Sequence, residues 1–138
     1  MPPLTRWMLK TSLVYLILAL LVGIIQGLIP LLPTGLAFLR QLEPVRVHLF
    51  VVGWFSLLIF GVVFWMFPKY SREKPRGHEW LGWSVYGLLN LGLILRVIGE
   101  TTAQSGSTSG WVLVASALLQ WLAGLAFFLN TWPRIKEK

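Results

Sequence analysis

Hydrophobic and polar positions along this chain fall into long blocks rather than the short periods of a water-soluble fold. Four apolar runs stand out: Ser12 to Leu32, Val47 to Phe67, Trp80 to Ile98 and Trp111 to Thr131. Each is close to the ~20 residues a helix needs to cross a hydrocarbon core about 30 Å thick. A backbone amide left unpaired in hydrocarbon costs several kcal/mol, and a helix satisfies its own, so every run is predicted to be helical. Barrel strands would show segments of about ten residues with alternating hydrophobicity, and the sequence lacks them. The expected fold is an all-α bundle of four transmembrane helices, forming one integral membrane domain over residues 1–138.

The breaks between runs are short. Leu32 to Arg46 contains Pro33, Gly35 and Pro44, and its LAFLRQL core predicts a brief helix lying in the interface. Pro68 to Glu79 is charged, with Pro75 and Gly77, and Glu100 to Gly110 (ETTAQSGSTSG) is small and polar, the composition of a flexible hairpin. The first run follows RWMLK, a signal-like start. Its apolar part is long for a signal peptide and lacks a small-residue cleavage site, so a retained helix is expected.

Composition supports this class: 56% of the 138 residues are hydrophobic and 12% charged, against about a quarter charged in a soluble domain. Mean hydropathy is +0.70. Lys and Arg sort unevenly between the two sides that four antiparallel helices define. Arg6, Lys10, Lys69, Arg72, Lys74, Arg76, Arg134, Lys136 and Lys138 fall on one side, and Arg40, Arg46 and Arg96 on the other. Nine against three over short loops predicts that both termini are cytoplasmic, in the inner membrane of a bacterial-type cell. The net charge of +7 is then explained by topology and anionic lipid, with no nucleic-acid partner. Trp7, Trp80, Trp83, Trp111 and Trp132 sit near run ends, as interfacial anchors do. Zero cysteines exclude disulfides, thiolate metal sites and iron–sulfur clusters.

The candidate chemistry centres on His48, an ionisable, metal-capable side chain at the polar edge of the second run. A solvated or helix-bonded histidine is the simpler reading of such a position. The stretch from Arg46 to Lys69, RVHLFVVGWFSLLIFGVVFWMFPK, alters that balance, because it resembles a segment of haem–copper oxidase subunit I, especially of the cbb3 type. In that family the tenth helix opens with His-x-His, continues with Gly-Trp and Phe-Gly, then an aromatic, and closes with Pro-Lys or Pro-Arg. This chain has Arg46-Val47-His48, Gly53-Trp54, Phe60-Gly61, Phe64 and Pro68-Lys69. The similarity is specific over some two dozen residues. It extends weakly to Gly23–Gly27 and Asn90–Gly92, so the chain is similar to the family's last four helices or to its short four-helix relatives.

The resemblance implies an axial ligand for a b-type haem at His48, near the outer face. It also departs from the family, because Arg46 replaces the histidine that binds the oxygen-reducing haem. A protonated guanidinium offers only donors and cannot ligate iron. Stand-alone oxygen reduction is therefore not expected. Arg46 and Arg96 are candidates to hold haem propionates, since Arg pairs bidentately with carboxylates, and outer-face anchoring is their plainer role. Met66 lies at the opposite membrane face, too far for the same iron. The leading expectation is a haem-binding electron-transfer protein, or one that handles haem, oxygen or nitric oxide. The alternative is a cofactor-free accessory or structural subunit of a respiratory membrane complex.

The remaining polar and small residues read as packing. Gly23-xxx-Gly27, the glycines 82, 87 and 92, and Ala115, Ala117, Ala123 and Gly124 permit close helix contacts within the bundle, in a homodimer or in a larger respiratory complex. Gln26, Asn90, Gln120 and Asn130 are expected to bond across helices, with Tyr86 in the same network. No run contains a buried carboxylate, which disfavours a proton-coupled transporter, and there is no triad, phosphate loop or carboxylate pair for hydrolytic or phosphoryl chemistry.

Overall fold

The computed structural model describes residues 1–31, 42–70, 78–102 and 107–135. Four helices in it are long and apolar enough to cross a membrane, and no strand occurs among the described residues. Helix α1 runs from Pro3 to Leu28, α3 from Glu79 to Thr101 and α4 from Ser107 to Thr131. Helix α2 is one rod over Glu43–Met66, α-helical to His48, π-helical over Leu49–Ser56 and α-helical again from Leu57. The interfacial helix expected at LAFLRQL lies outside the described residues except for Leu42.

Local chemistry explains the ends. Pro3 occupies the first turn of α1, where its missing N–H has no helical partner to lose, so the helix begins nine residues ahead of the first apolar run. At the other end of α2, Phe67 is extended (φ −64°, ψ 151°) because it precedes Pro68, whose ring disfavours an α conformation in the residue before it. His78 is also extended, with Glu79 in the first turn of α3, where the helix dipole favours an anion. Helix α3 continues to Thr101 and α4 begins at Ser107, so the helices extend into both ends of the polar stretch ETTAQSGSTSG, and the centre of the expected hairpin, residues 103–106, lies outside the described residues.

The helices form two hairpins, α1 with α2 and α3 with α4, and the start of α1 and the end of α4 lie on the same side of the bundle. Nearer that side Met8, Leu57, Phe64, Val85, Leu89 and Ala123 make one buried cluster. Toward the opposite side Ala19, Val45, Leu49 and Leu93 make a second. Large apolar residues such as Ile17, Ile24, Phe55, Ile94, Leu118 and Trp121 face outward. Only 17% of the most apolar stretch of α1 and 11% of that of α4 is buried, an exposure that suits contact with lipid and not with water.

Between helices surrounded by lipid, close packing and hydrogen bonds replace the hydrophobic effect as the cohesive force. Glycine supplies the closeness. A Cβ on Gly53 would stand 2.7 Å from Cγ of Tyr15 and 2.9 Å from Cδ2 of Leu93, and one on Gly61 would stand 3.0 Å from Cβ of Met8. The α3–α4 pair closes the same way at Gly92, whose Cβ would meet Gln120 at 2.9 Å.

Candidate functional site

Position 48 is fixed by its own helix. Nδ1 of His48 lies 2.8 Å from the Pro44 carbonyl, one turn earlier. A carbonyl only accepts, so Nδ1 carries a proton in this contact and Nε2 keeps the lone pair of the neutral ring. Of the two imidazole nitrogens, Nε2 is the one open to a ligand, and a metal-binding histidine is commonly oriented by such a bond from its other nitrogen.

The two arginines are each paired with a carboxylate of their own helix. Arg46 grips Glu43 with two nitrogens, Nε donating to Oε2 at 3.0 Å and Nη2 to Oε1. Its stem crosses to α1, where Cδ lies 3.6 Å from the Cβ position of Gly23, and the Gln26 side chain lies near the Glu43 carboxylate. The Gln26–Glu43–Arg46 group therefore ties the start of α2 to α1. Arg96 pairs with Glu100 through Nε, 3.0 Å from Oε1, and both are more enclosed, at 24% and 15% side-chain exposure against 40% for Arg46. His48, Arg46 and Arg96 thus share one end of the bundle. No hydrogen bond or ion pair among the described residues joins His48 to either arginine.

An apolar groove of about 540 Å³ runs down this end between α1, α2 and α3. Leu18 and Val22, Val45 and Leu49, and Leu93 and Val97 form its walls, with Tyr15 and Thr101 as its polar-tipped members. His48, Arg46 and Arg96 do not line it. Positions 45 and 49 are one turn apart and share a helix face, whereas 46 and 48 flank that face on either side. The three candidates therefore share one end of the bundle without lining a common pocket, with Nε2 of His48 open and each guanidinium holding a carboxylate of its own helix. Among the described residues, no cluster of three or more His, Cys, Asp or Glu is present.

The backbone immediately after His48 is unusual. The turns over Leu49–Ser56 are π-helical, and within them Ser56 Oγ donates to the Val51 carbonyl five residues back at 2.9 Å. Such segments are rare and often mark functional places. Here the π segment holds Gly53, against which the ring of Tyr15 is seated. Tyr15 is in turn anchored by donating to Oδ1 of Asn90 at 2.6 Å, Asn90 donates to the Tyr86 carbonyl at 2.7 Å, and the Tyr86 hydroxyl meets Thr11 at 2.8 Å. This polar ladder joins α1 to α3. The other residues of the oxidase-like pattern pack too, Phe60 stacking on Phe127 of α4 at a ring separation of 3.8 Å and Phe64 meeting the same ring edge-on.

Several expectations about polar residues are refined. Gln120 bonds Ser116 of its own helix, and it is Ser116 that crosses to α3, donating to the Gly92 carbonyl at 2.7 Å. Asn130 accepts the His78 backbone N–H at 3.3 Å, fixing the start of α3. Arg134, counted from sequence as a topology charge, is 1% exposed and donates to the carbonyls of Phe64, Phe67 and Pro68 at 3.3, 2.9 and 3.1 Å. It caps the carbonyl end of α2, where a helix has acceptors without intrahelical donors and favours a cation. The signal available in sequence was Phe67-Pro68, which ends that helix abruptly, but nothing there selects Arg134 among nine basic residues of its side. No family model matches this chain, and neither a curated protein nor a solved structure matches it.

Proposed function

We propose that this four-helix membrane protein acts as a cofactor-free accessory subunit of a respiratory complex in the cytoplasmic membrane. Both termini face the cytoplasm in this reading, as the nine-to-three distribution of basic residues supports. The observation that carries it is the use made of the oxidase-like residues. Gly53 and Gly61 admit Tyr15 and Met8 of α1, and Phe60 and Phe64 pack on Phe127, so the shared pattern serves helix contact. His48, the one position of the pattern suited to iron, bonds its own helix beside the groove rather than lining it.

Binding of a b-type haem at His48 is the second reading, favoured by the Nδ1 contact that leaves Nε2 for a metal. A reduced-minus-oxidised absorption spectrum of the protein purified with ample haem separates the two. The accessory role expects no stoichiometric b-type bands, together with a native mass above that of a single chain in mild detergent. One haem per chain, lost in His48→Ala, would overturn it in favour of the second reading.

A further inference from the structure

Two adjoining depressions lie at the end of the bundle that carries the start of α1 and the end of α4, and their chemistry is opposite. The first, about 100 Å³, is walled by Pro3, Leu4, Thr5, Phe64, Glu79 and Trp83. The second is a wider shelf of about 250 Å³ formed by Pro3, Arg6, Trp7 and Lys10. Pro3 belongs to both, so the depression lined by Glu79 and Trp83 adjoins a shelf with two cations and an exposed indole.

Depth along α1 orders these charges. At about 1.5 Å of rise per residue, Arg6 stands about 4.5 Å and Lys10 about 10 Å farther along the helix than Pro3. Glu79, at the first turn of α3, is level with the start of α1, because Leu4 packs against Gly82 one turn inside it. Passing from the aqueous end toward the hydrocarbon, the face presents an anion, then Arg6, then Lys10, whose long stem lets its ammonium reach back toward the headgroup layer. A phospholipid with an amine headgroup has the complementary order: ammonium outermost, phosphate next, acyl chains below.

We infer that this face binds the headgroup of a phosphatidylethanolamine-type lipid, with its ammonium at Glu79 against Trp83 and its phosphate between Arg6 and Lys10. A primary ammonium donates charge-assisted hydrogen bonds to a carboxylate and a trimethylammonium has none to give, which selects ethanolamine over choline. Carboxylate oxygens accept several bonds, so Glu79 can serve the lipid while keeping its protein contact. Trp83, 44% exposed, lines the same depression as Glu79 and adds an aromatic partner for a cation, and Trp7, 57% exposed, stands on the shelf as an interfacial anchor. Thr5, whose hydroxyl is buried with no hydrogen-bond partner among the described residues, also lines this depression.

Native mass spectrometry of the full chain in mild detergent, titrated with phosphatidylethanolamine, phosphatidylcholine and phosphatidylglycerol, tests this. The ethanolamine lipid is expected to bind about two- to fivefold more tightly than the choline lipid, the range of an exposed ion pair. Glu79→Gln should abolish that difference while leaving the choline lipid unaffected, and Arg6→Gln with Lys10→Gln should weaken both lipids. Trp83→Leu, which spares every charge, should reduce ethanolamine-lipid binding without affecting phosphatidylglycerol. Equal binding of the ethanolamine and choline lipids, or a preference that survives Glu79→Gln, overturns the assignment. Tighter binding of phosphatidylglycerol than of either would also overturn it, leaving a plain basic surface for anionic lipid.

Discussion

Replacing Gly53 with alanine tests how α2 is held. The added methyl would stand 2.7 Å from Cγ and 2.9 Å from Cβ of Tyr15, and 2.9 Å from Cδ2 of Leu93. Leu93 can yield, because only the tip of its side chain is involved. Tyr15 cannot swing aside freely, since its hydroxyl is bonded to Asn90 at 2.6 Å and the clash is at the root of the ring. Either α1 moves off α2 or the Tyr15–Asn90 bond breaks. Overpacking of this kind costs about 1–3 kcal/mol, and a lost interhelical hydrogen bond in a membrane protein adds about 0.6 kcal/mol. Gly27→Ala is the control, as nothing lies within 4 Å of that Cβ position. Stability would be read by circular dichroism during titration of detergent-solubilised protein with dodecyl sulfate. Gly53→Ala should unfold well before the parent and Gly27→Ala with it. Tyr15→Phe should not rescue Gly53→Ala, because it leaves Cβ and Cγ in place. Equal midpoints for the two alanine variants would refute the packing account of this glycine.

Two further perturbations address the ends and the middle of the same helix. Arg134→Gln should destabilise the protein by about 1.5–3 kcal/mol in the same titration, the worth of hydrogen bonds from a charged donor, and Arg134→Lys should recover part of it; an unchanged midpoint would mean that the α2 carbonyls need no cap. Deleting Val51 from the π segment should be tolerated better than deleting Val62, because the first deletion can convert π turns to α while preserving the register on both sides, whereas the second rotates one flank by about 100°. Equal losses would show that the π segment holds no spare residue.

The four-helix class was legible because lipid imposes it: length, apolarity and the need for internal backbone bonds leave little else for such runs. Boundaries were less legible where the chain leaves hydrocarbon. Arg6 and Lys10 precede the apolar run, yet α1 already includes them, with Leu4, Thr5 and Met8 buried while those two charges face outward. The candidate site divides in the same way. The Pro44–His48 bond follows from one-turn spacing and was accessible to sequence reasoning, as were Glu43–Arg46 and Arg96–Glu100 at spacings of three and four. Arg134 was not, because its acceptors lie more than 60 residues away, and a basic residue beyond an apolar run looks the same whether it caps a distant helix or meets water. Ser116 escaped for a related reason. A small hydroxyl gains its role only when a glycine carbonyl on the next helix comes within 2.7 Å.

Restoring the missing histidine of the oxidase-like pattern bears directly on what the pattern still does. Residues 46 and 48 are two apart, so their side chains leave α2 about 200° from one another around the axis. Arg46 extends over Gly23 of α1, and His48 folds back on Pro44. An Arg46→His variant therefore cannot bring two imidazoles of one chain to a single iron, and it also breaks the bidentate bond to Glu43 that fastens the start of α2. The expected outcome on adding haem is reduced stability in the dodecyl sulfate titration and no low-spin spectrum from a bis-histidine complex at dilutions where the chain is monomeric. A low-spin spectrum that appears only as protein concentration rises would place the two histidines on different chains. One that persists at high dilution would mean that the first turns of α2, Glu43–His48, rearrange so that 46 and 48 reach one iron.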